Sequence, residues 1–418
     1  MVGAVTAGTG IINLGFFVRP MGEELGIGNA TFGWAQTARL AGFALFGMLA
    51  GSHVDTHGAR LLLAATGVIT TLAMVGLASV TAGWQFIALF FVLGLVGMQG
   101  MGGGLYVTVA VARWFVQKRG RALSVAQLGL PLGIFVFPPL SQWLIDKVGW
   151  RDTWLILGLA AAGVMIVVAL AVVRREPQDM GLLPDGAAEP GIVRDTATRP
   201  KAHERRWESA EHSWEMGEAL RSGAFWRLTV VDGLRMFSLG TLGFYRIPFF
   251  EERGLDPHLI AFALSFEAFA AGFGALPMGW AVDRFQPRYV AAFSTFLMLP
   301  TFLITAAVSE GWHMFVATSL FGMAAATYGV IQGAMWPSYF GGGHIGSIRG
   351  ASMPLTLALS AMGPPLTGMI KDVTGSYMAA WGIGAAASAL AILLLLLTPR
   401  PAPRASLLPS IADPARSM

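Results

Sequence analysis

Cysteine is absent from the 418 residues, which excludes disulfides, thiolate metal sites and a cysteine nucleophile. Charge is scarce. Asp, Glu, Lys and Arg make up 12% of the chain, half the roughly 25% of a soluble domain. Hydrophobic residues reach 55% and mean hydropathy is +0.61, so neither a water-soluble globular protein nor a disordered one fits. Histidine is sparse as well: seven scattered residues form no HExxH or comparable cluster, which gives metal ligation no support. Gly102, Gly103 and Gly104 lack the strand, helix and lysine of a nucleotide loop and read as close helix packing. No cofactor is expected. The net charge of +4 lies between apolar segments, so its sign reports membrane topology and not nucleic-acid binding.

What the chain does contain is a series of long apolar runs. A span needs about 20 mainly apolar residues. Twelve runs qualify: 2–18, 31–51, 61–81, 85–112, 122–145, 152–173, 225–246, 258–279, 289–308, 313–338, 349–370 and 377–397. Helices are expected, because lipid offers backbone groups no other partner and the alternation of barrel strands is missing. The first run is short and lacks a charged n-region and a cleavage site, so it does not read as a signal peptide; either the helix is short or the start codon lies upstream of Met1, and the second is the favoured expectation. Residues 174–224 are polar and rich in Pro, Asp, Glu and Arg. There Trp207, Glu211, Trp214 and Leu220 suggest a helix lying on the membrane surface. The expected organisation is a six-helix bundle at 1–173, a linker at 174–224, a second bundle at 225–398 and a tail at 399–418. With the linker in the cytoplasm, 20 Lys and Arg fall on that side, six on the other, and two (Arg39 and Arg235) within spans. That bias puts both termini in the cytoplasm of an inner-membrane protein.

An internal repeat settles the architecture. At an offset of 228 residues Gly15 and Phe16 meet Gly243 and Phe244, and Pro20 meets Pro248. Glu23, Glu24 and Gly26 meet Glu251, Glu252 and Gly254; Ala35 meets Ala263; Gly51, Val54, Asp55 and Arg60 meet Gly279, Val282, Asp283 and Arg288. Parallel repeats of this kind are related by an axis along the membrane normal, with a substrate site between them near the midplane.

The loop after the second span carries Gly51, Asp55, Gly58 and Arg60 in the pattern G-x-x-x-D-x-x-G-x-R, which resembles the corresponding loop of the major facilitator superfamily. Its second copy has Gly279, Asp283, Arg284 and Arg288, with Gln286 where the glycine stands. A carboxylate at a helix end that pairs with Arg or a helix N-terminus latches one conformation; the alternative is a plain interfacial salt bridge. The resemblance covers the whole chain and implies an all-α integral membrane protein of twelve helices in two pseudo-symmetric bundles.

Three loops are similar to those of bacterial monocarboxylate and oxalate/formate transporters. One is Arg113, Trp114 and Phe115 with Lys118, Arg119 and Gly120. The second is Pro177, Asp179 and Gly181 with Pro184, Asp185 and Gly186. The third is Tyr339, Phe340 and Gly341 with His344, Gly346, Arg349 and Gly350. That resemblance implies a small carboxylate moved with a proton or by exchange. The sequence departs from it in two respects. Monocarboxylate-type transporters place an Asp/Arg pair in span 8, where this chain has Ala271 and Ala275. The oxalate-type cation of span 11 is also missing at mid-depth, since Lys371 lies at the outer end. Those binding residues are therefore not carried over.

Ionisable groups inside spans cost about 2.5–3.5 kcal/mol each on insertion scales and tend to face a cavity. Arg39 lies about 18 Å above the cytoplasmic end of span 2 at 1.5 Å per residue. It binds either a substrate carboxylate through a bidentate fork or a protein acid, Glu267 or Asp232. Glu267 is its repeat mate and either carries a coupled proton or holds Arg39. Asp232 and Arg235, at i and i+3, form either a local neutral pair or a switch in which protonation frees Arg235 for an anion. Asn13, Gln99 and Tyr328 are neutral candidates for substrate hydrogen bonds or interhelical ones.

The reading is a secondary transporter of a mono- or dicarboxylate working by alternating access. Arg39 and Arg235 attract the anion, and Asp232 or Glu267 carries any proton. An efflux carrier for hydrophobic or cationic compounds is the competing reading, and two intramembrane arginines argue against it. A sensor would need an output domain, and an enzyme would need a nucleophile, metal or acid/base cluster.

Overall fold

In the computed structural model the structure describes residues 11–57, 59–96, 129–169, 214–341 and 344–401. Among these, every regular element is a helix. They are α1 Ile11–Leu25, α2 Asn29–His57, α3 Ala59–Ala78, α4 Gly83–Leu95, α5 Gly129–Val167, α6 Met216–Leu220 and α7 Gly223–Leu242. Then come α8 Arg246–Glu252, α9 Pro257–Arg284, α10 Pro287–Phe296, α11 Met298–Ala306, α12 Gly311–Phe340, α13 Ile345–Thr374 and α14 Met378–Leu396. Among the described residues five stretches are long and apolar enough by themselves to cross a membrane: Pro131–Val167, Pro257–Arg284, Pro287–Ala306, Gly311–Phe340 and Met378–Leu396.

Local chemistry sets the ends. Asp256 caps α9 by accepting a hydrogen bond from the Leu259 amide at 2.9 Å, and Pro257 fills the first turn, where no amide partner is needed. Gly375 closes α13 in the left-handed region, its amide donating to the Lys371 carbonyl. The fifth and sixth expected spans run as one element, α5, broken at Gly149, whose φ of 80° reverses the chain. The seventh run ends early. The apolar stretch continues to residue 246, but α7 stops at Leu242 and a three-residue turn leads into α8. Of the expected surface helix, α6 is the part within the described residues; Trp207 and Glu211 lie outside them. Trp214 is buried against Phe340, and its amide donates to the Phe340 carbonyl.

The repeat is visible in the packing. α2 and α9 begin 228 residues apart. A two-fold relation between bundles requires that if α2 packs on α13, then α9 packs on α5, and both contacts occur. Gly33 of α2 lies against the backbone of Pro364 and Pro365 in α13. Ser265 of α9 donates to the Phe135 carbonyl of α5 at 2.6 Å. α1 meets α8 in the same way, Gly15 against Ile247.

Within the N-terminal helices, α2 and α4 cross at van der Waals distance through glycine. A Cβ added to Gly94 would stand 2.1 Å from the Arg39 carbonyl oxygen. Backbone cannot retreat as a flexible side chain does, so Gly94→Val forces the helices apart. The expected loss is about 1–3 kcal/mol of stability. A thermal melt of the detergent-purified protein checks this; an unchanged melting temperature would contradict it.

Candidate functional site

Among the described residues a largely buried polar network joins α7, α10, α12 and α13. Asp232 and Arg235 on α7 are both almost fully buried. Asp232 Oδ2 accepts from the Trp336 indole at 2.9 Å. Arg235 Nη2 donates to Ser294 Oγ at 3.2 Å, and its guanidinium lies 4.9 Å from the centre of the Tyr328 ring. Ser294 in turn hydrogen-bonds Thr327. Gln332 donates to the Tyr328 hydroxyl and accepts from Arg349 Nη2 at 2.7 Å. The network therefore runs from the middle of α7 and α12 toward the end where α13 begins. Asp232 Oδ1 and Arg235 Nη1 are buried and have no hydrogen-bond partner among the described residues. A buried donor or acceptor left unpaired is costly, and a ligand that supplies partners to both removes that cost.

The spacing of Asp232 and Arg235 suggested a local pair. Among the described residues no ion pair joins them; each reaches to a different neighbouring helix. That leaves both groups held in place but incompletely paired.

Glu267 does not meet Arg39. It pairs with Arg246, and both side chains are sealed from solvent at 5% and 1% exposure. The Arg246 guanidinium also stacks 3.9 Å from the Phe321 ring centre, while its Nε and Nη1 are buried without partners among the described residues. Arg246 closes the seventh apolar run, where a long cation ordinarily snorkels to the interface. Its inward turn follows from the break after Leu242, which the residue pattern does not announce. Gln332, four residues from Tyr328, was legible as a helical neighbour. Trp336 was hidden among apolar residues.

Arg39 is 1% exposed on α2, where its backbone meets Gly94. Asn13 donates to Ser141 Oγ at 2.7 Å, which links α1 to α5. Gln99 and Gly58 lie outside the described residues, as do the side chains of Gly51, Asp55 and Arg60. In the second loop copy Asp283 is exposed, with no hydrogen-bond or ion-pair partner among the described residues, and Gly279 has open space around it. Arg284 stacks on Trp280, and Arg288 donates to the Tyr289 hydroxyl at 2.8 Å.

The opposite end of the molecule is clasped. Asp372, near the C-terminus of α13, accepts from the Asn29 amide, the Asn29 side chain and the Ala30 amide at 2.8, 2.9 and 2.8 Å. A carboxylate from one group of helices thus caps the N-terminus of α2 in the other. Tyr245 donates to the Asn29 carbonyl at 2.7 Å and Tyr377 to its side-chain oxygen at 3.0 Å. His258 lies 3.0 Å from Asp146 across the same end.

Glu251 sits at this end. Burial lifts its carboxyl from 4.5 to about 7; Glu23, Glu252 and Asp146 push the same way, and Arg19 pulls it down. A carboxyl raised by folding binds its proton more tightly in the folded state. The ionised form therefore lowers stability above about pH 7, and the penalty vanishes below pH 4.5. Glu251→Gln is expected to raise the melting temperature above pH 7 and to leave it unchanged below pH 4.5. Equal shifts in both ranges would refute this.

Comparison with known proteins adds a family. The family model described as Major Facilitator Superfamily matches residues 1–253 and 233–417. The chain is 29% identical over 360 residues to monocarboxylate transporter 13 of Bos taurus, covering 82% of this chain and 74% of that one. Monocarboxylate transporter 2 of Rattus norvegicus is 23% identical over 354 residues, covering 82% and 70%. The crystal structure of the nucleoside transporter NupG superposes with a TM-score of 0.72 at 12% identity, covering 95% of this chain and 96% of that one. At that identity the likeness is one of fold.

Proposed function

The chain belongs to the major facilitator superfamily, and from that premise we propose that it carries a small organic anion, a mono- or dicarboxylate, by alternating access coupled to protons or exchange. At the coarser level it is a multi-pass membrane transporter and not an enzyme. The proposed substrate class is supported by the monocarboxylate transporters among its relatives.

The observation that carries the site is Arg235: a buried guanidinium, positioned by Ser294 and Tyr328, with one edge unpaired. A carboxylate set against Nη1 would make a charge-assisted hydrogen bond in a low-dielectric site, and the substrate would bring the charge that the span lacks. Asp232 lies one turn away with a free oxygen. Asp232 and Glu267 are the two candidate proton carriers; protonated, Asp232 would become a donor to the same substrate. Asp232 is held by Trp336, so its own movement is not needed for this exchange. Arg39, Asn13 and Gln99 remain the proposed contributions of the N-terminal bundle, 1–173, to a site shared with 225–398.

The clasp at Asn29 and the disengaged Asp283 fit one state of the cycle. If the linker end is cytoplasmic, as the Lys and Arg bias supports, the site faces inward in this state. The loop latches of Asp55 and Asp283 would then close in the opposite state. The protein would lie in the inner membrane with both termini cytoplasmic.

Uptake of radiolabelled carboxylates into proteoliposomes, with and without an inward proton gradient, tests the proposal. Gradient-stimulated uptake of one or more of them is expected. Folded protein that moves no carboxylate would refute the substrate class and leave the family.

A further inference from the structure

Arg246 is held from both sides along the chain. Its predecessor Tyr245 donates to the Asn29 carbonyl, and its successor Ile247 packs so closely on Gly15 that a Cβ there would lie 2.3 Å from Ile247 Cδ1. Both contacts belong to the interface between the N-terminal and C-terminal helices. The Arg246 side chain points the other way, onto Glu267 of α9 and Phe321 of α12. Glu267 is fixed by close packing: a Cβ on Gly322 of α12 would lie 2.6 Å from its Cγ and from its carbonyl oxygen. α5 meets α9 nearby through the Phe135 carbonyl and Ser265, which bring no charge. Arg246 is the one charged group that faces Glu267 among the described residues.

We infer that the Arg246–Glu267 ion pair ties proton binding at Glu267 to closure of the Asn29 end. This rests on the transporter reading above and selects Glu267 as the carrier. With that end closed, the two buried charges compensate each other. In this proposal α8 moves relative to α9 when that end opens: Tyr245 and Ile247 leave Asn29 and Gly15 and carry Arg246 with them. Glu267 stays in α9 against Gly322. A buried carboxylate stripped of its partner is strongly penalised, and uptake of a proton onto a carboxylate oxygen removes the charge. On closure the returning guanidinium favours the ionised form, and the proton is released. Binding and gating are thus one equilibrium, biased by the same ion pair.

The chain has no cysteine, so Ile247→Cys supplies a single thiol at the joint. A membrane-impermeant maleimide applied at the Asn29 side reads how often that end opens. Glu251→Gln is included in every chain so that this second raised carboxyl does not contribute to the pH response. The expected result is labelling that accelerates as pH falls. With Glu267→Gln added, labelling is fast at every pH. Gln keeps a carbonyl acceptor for Arg246, and the Arg246→Gln/Glu267→Gln double variant, which removes both charges, is expected to behave the same way. In proteoliposomes an inward gradient of one pH unit supports about tenfold accumulation for one proton per carboxylate; Glu267→Gln should reduce this to equal concentrations while counterflow continues. A Glu267→Gln chain that keeps the original pH response or the accumulation overturns the inference, as does a flat pH response before Glu267 is changed. If no carboxylate is carried at all, the substrate proposal fails, and the labelling still decides the linkage.

Discussion

Arg235→Gln is expected to abolish carboxylate uptake while the protein remains folded and membrane-inserted. The substitution removes the cation from a network in which Ser294, Tyr328 and Gln332 otherwise stay in place. Losing one partner of a buried, hydrogen-bonded charge pair costs about 2–5 kcal/mol, or roughly 30- to 5,000-fold in affinity. Gln is neutral, so the span buries one cation fewer and the protein is expected to remain folded. Binding of a labelled carboxylate to detergent-purified protein, compared with the melting temperature of the same sample, separates the two effects. Lysine at this position is expected to rescue weakly, because it replaces a planar fork with a point charge. Uptake at the original rate in Arg235→Gln would demote the residue to a structural cation and shift attention to Arg39.

Gly33→Leu is expected to stall the cycle by a different route. A Cβ at Gly33 would come within 2.5 Å of Pro365 Cα and 2.6 Å of the Pro364 carbonyl. Those are backbone atoms, and α13 has no room to retreat. On its far side Gly363 already lies against the Phe237 carbonyl of α7, where a Cβ would stand 2.7 Å away. Closure of the Asn29 end therefore becomes overpacked by about 1–3 kcal/mol, which shifts the conformational equilibrium about 5- to 150-fold toward opening. Uptake should fall by a similar factor, and Ile247→Cys should label faster from the Asn29 side. Gly272→Leu is the control, since nothing lies within 4 Å of a Cβ placed there. Equal uptake in Gly33→Leu and the control would show that α2 and α13 need not approach this closely during transport.

Charge at the ends and in the middle of apolar runs was legible to different degrees. Arg39, Asp232, Arg235 and Glu267 stand out because lipid makes each one expensive, and all four are buried. Their partners were not legible. The offset of 228 residues places Arg39 and Glu267 at equal depth, yet depth is one coordinate and a salt bridge needs three. Arg246 took Glu267 because the chain breaks after Leu242 and turns its side chain inward. Nor did the i, i+3 spacing of Asp232 and Arg235 make them a pair. Trp336 and Ser294, brought in by α12 and α10, offered each a partner on another helix.

By itself the sequence determined the helical class, the membrane-spanning character of the apolar runs and the repeat. These follow from interactions within one segment or from an offset along the chain: apolar length against bilayer thickness, backbone groups that must pair within their own helix, and identities at a constant spacing. The tertiary structure alone decided that Asp372 caps α2, 343 residues away along the chain, and that Arg246 holds Glu267. Both depend on which helix ends are brought within hydrogen-bond reach. That is set by glycine-mediated packing between helices, and the residue types at either end carry no record of it.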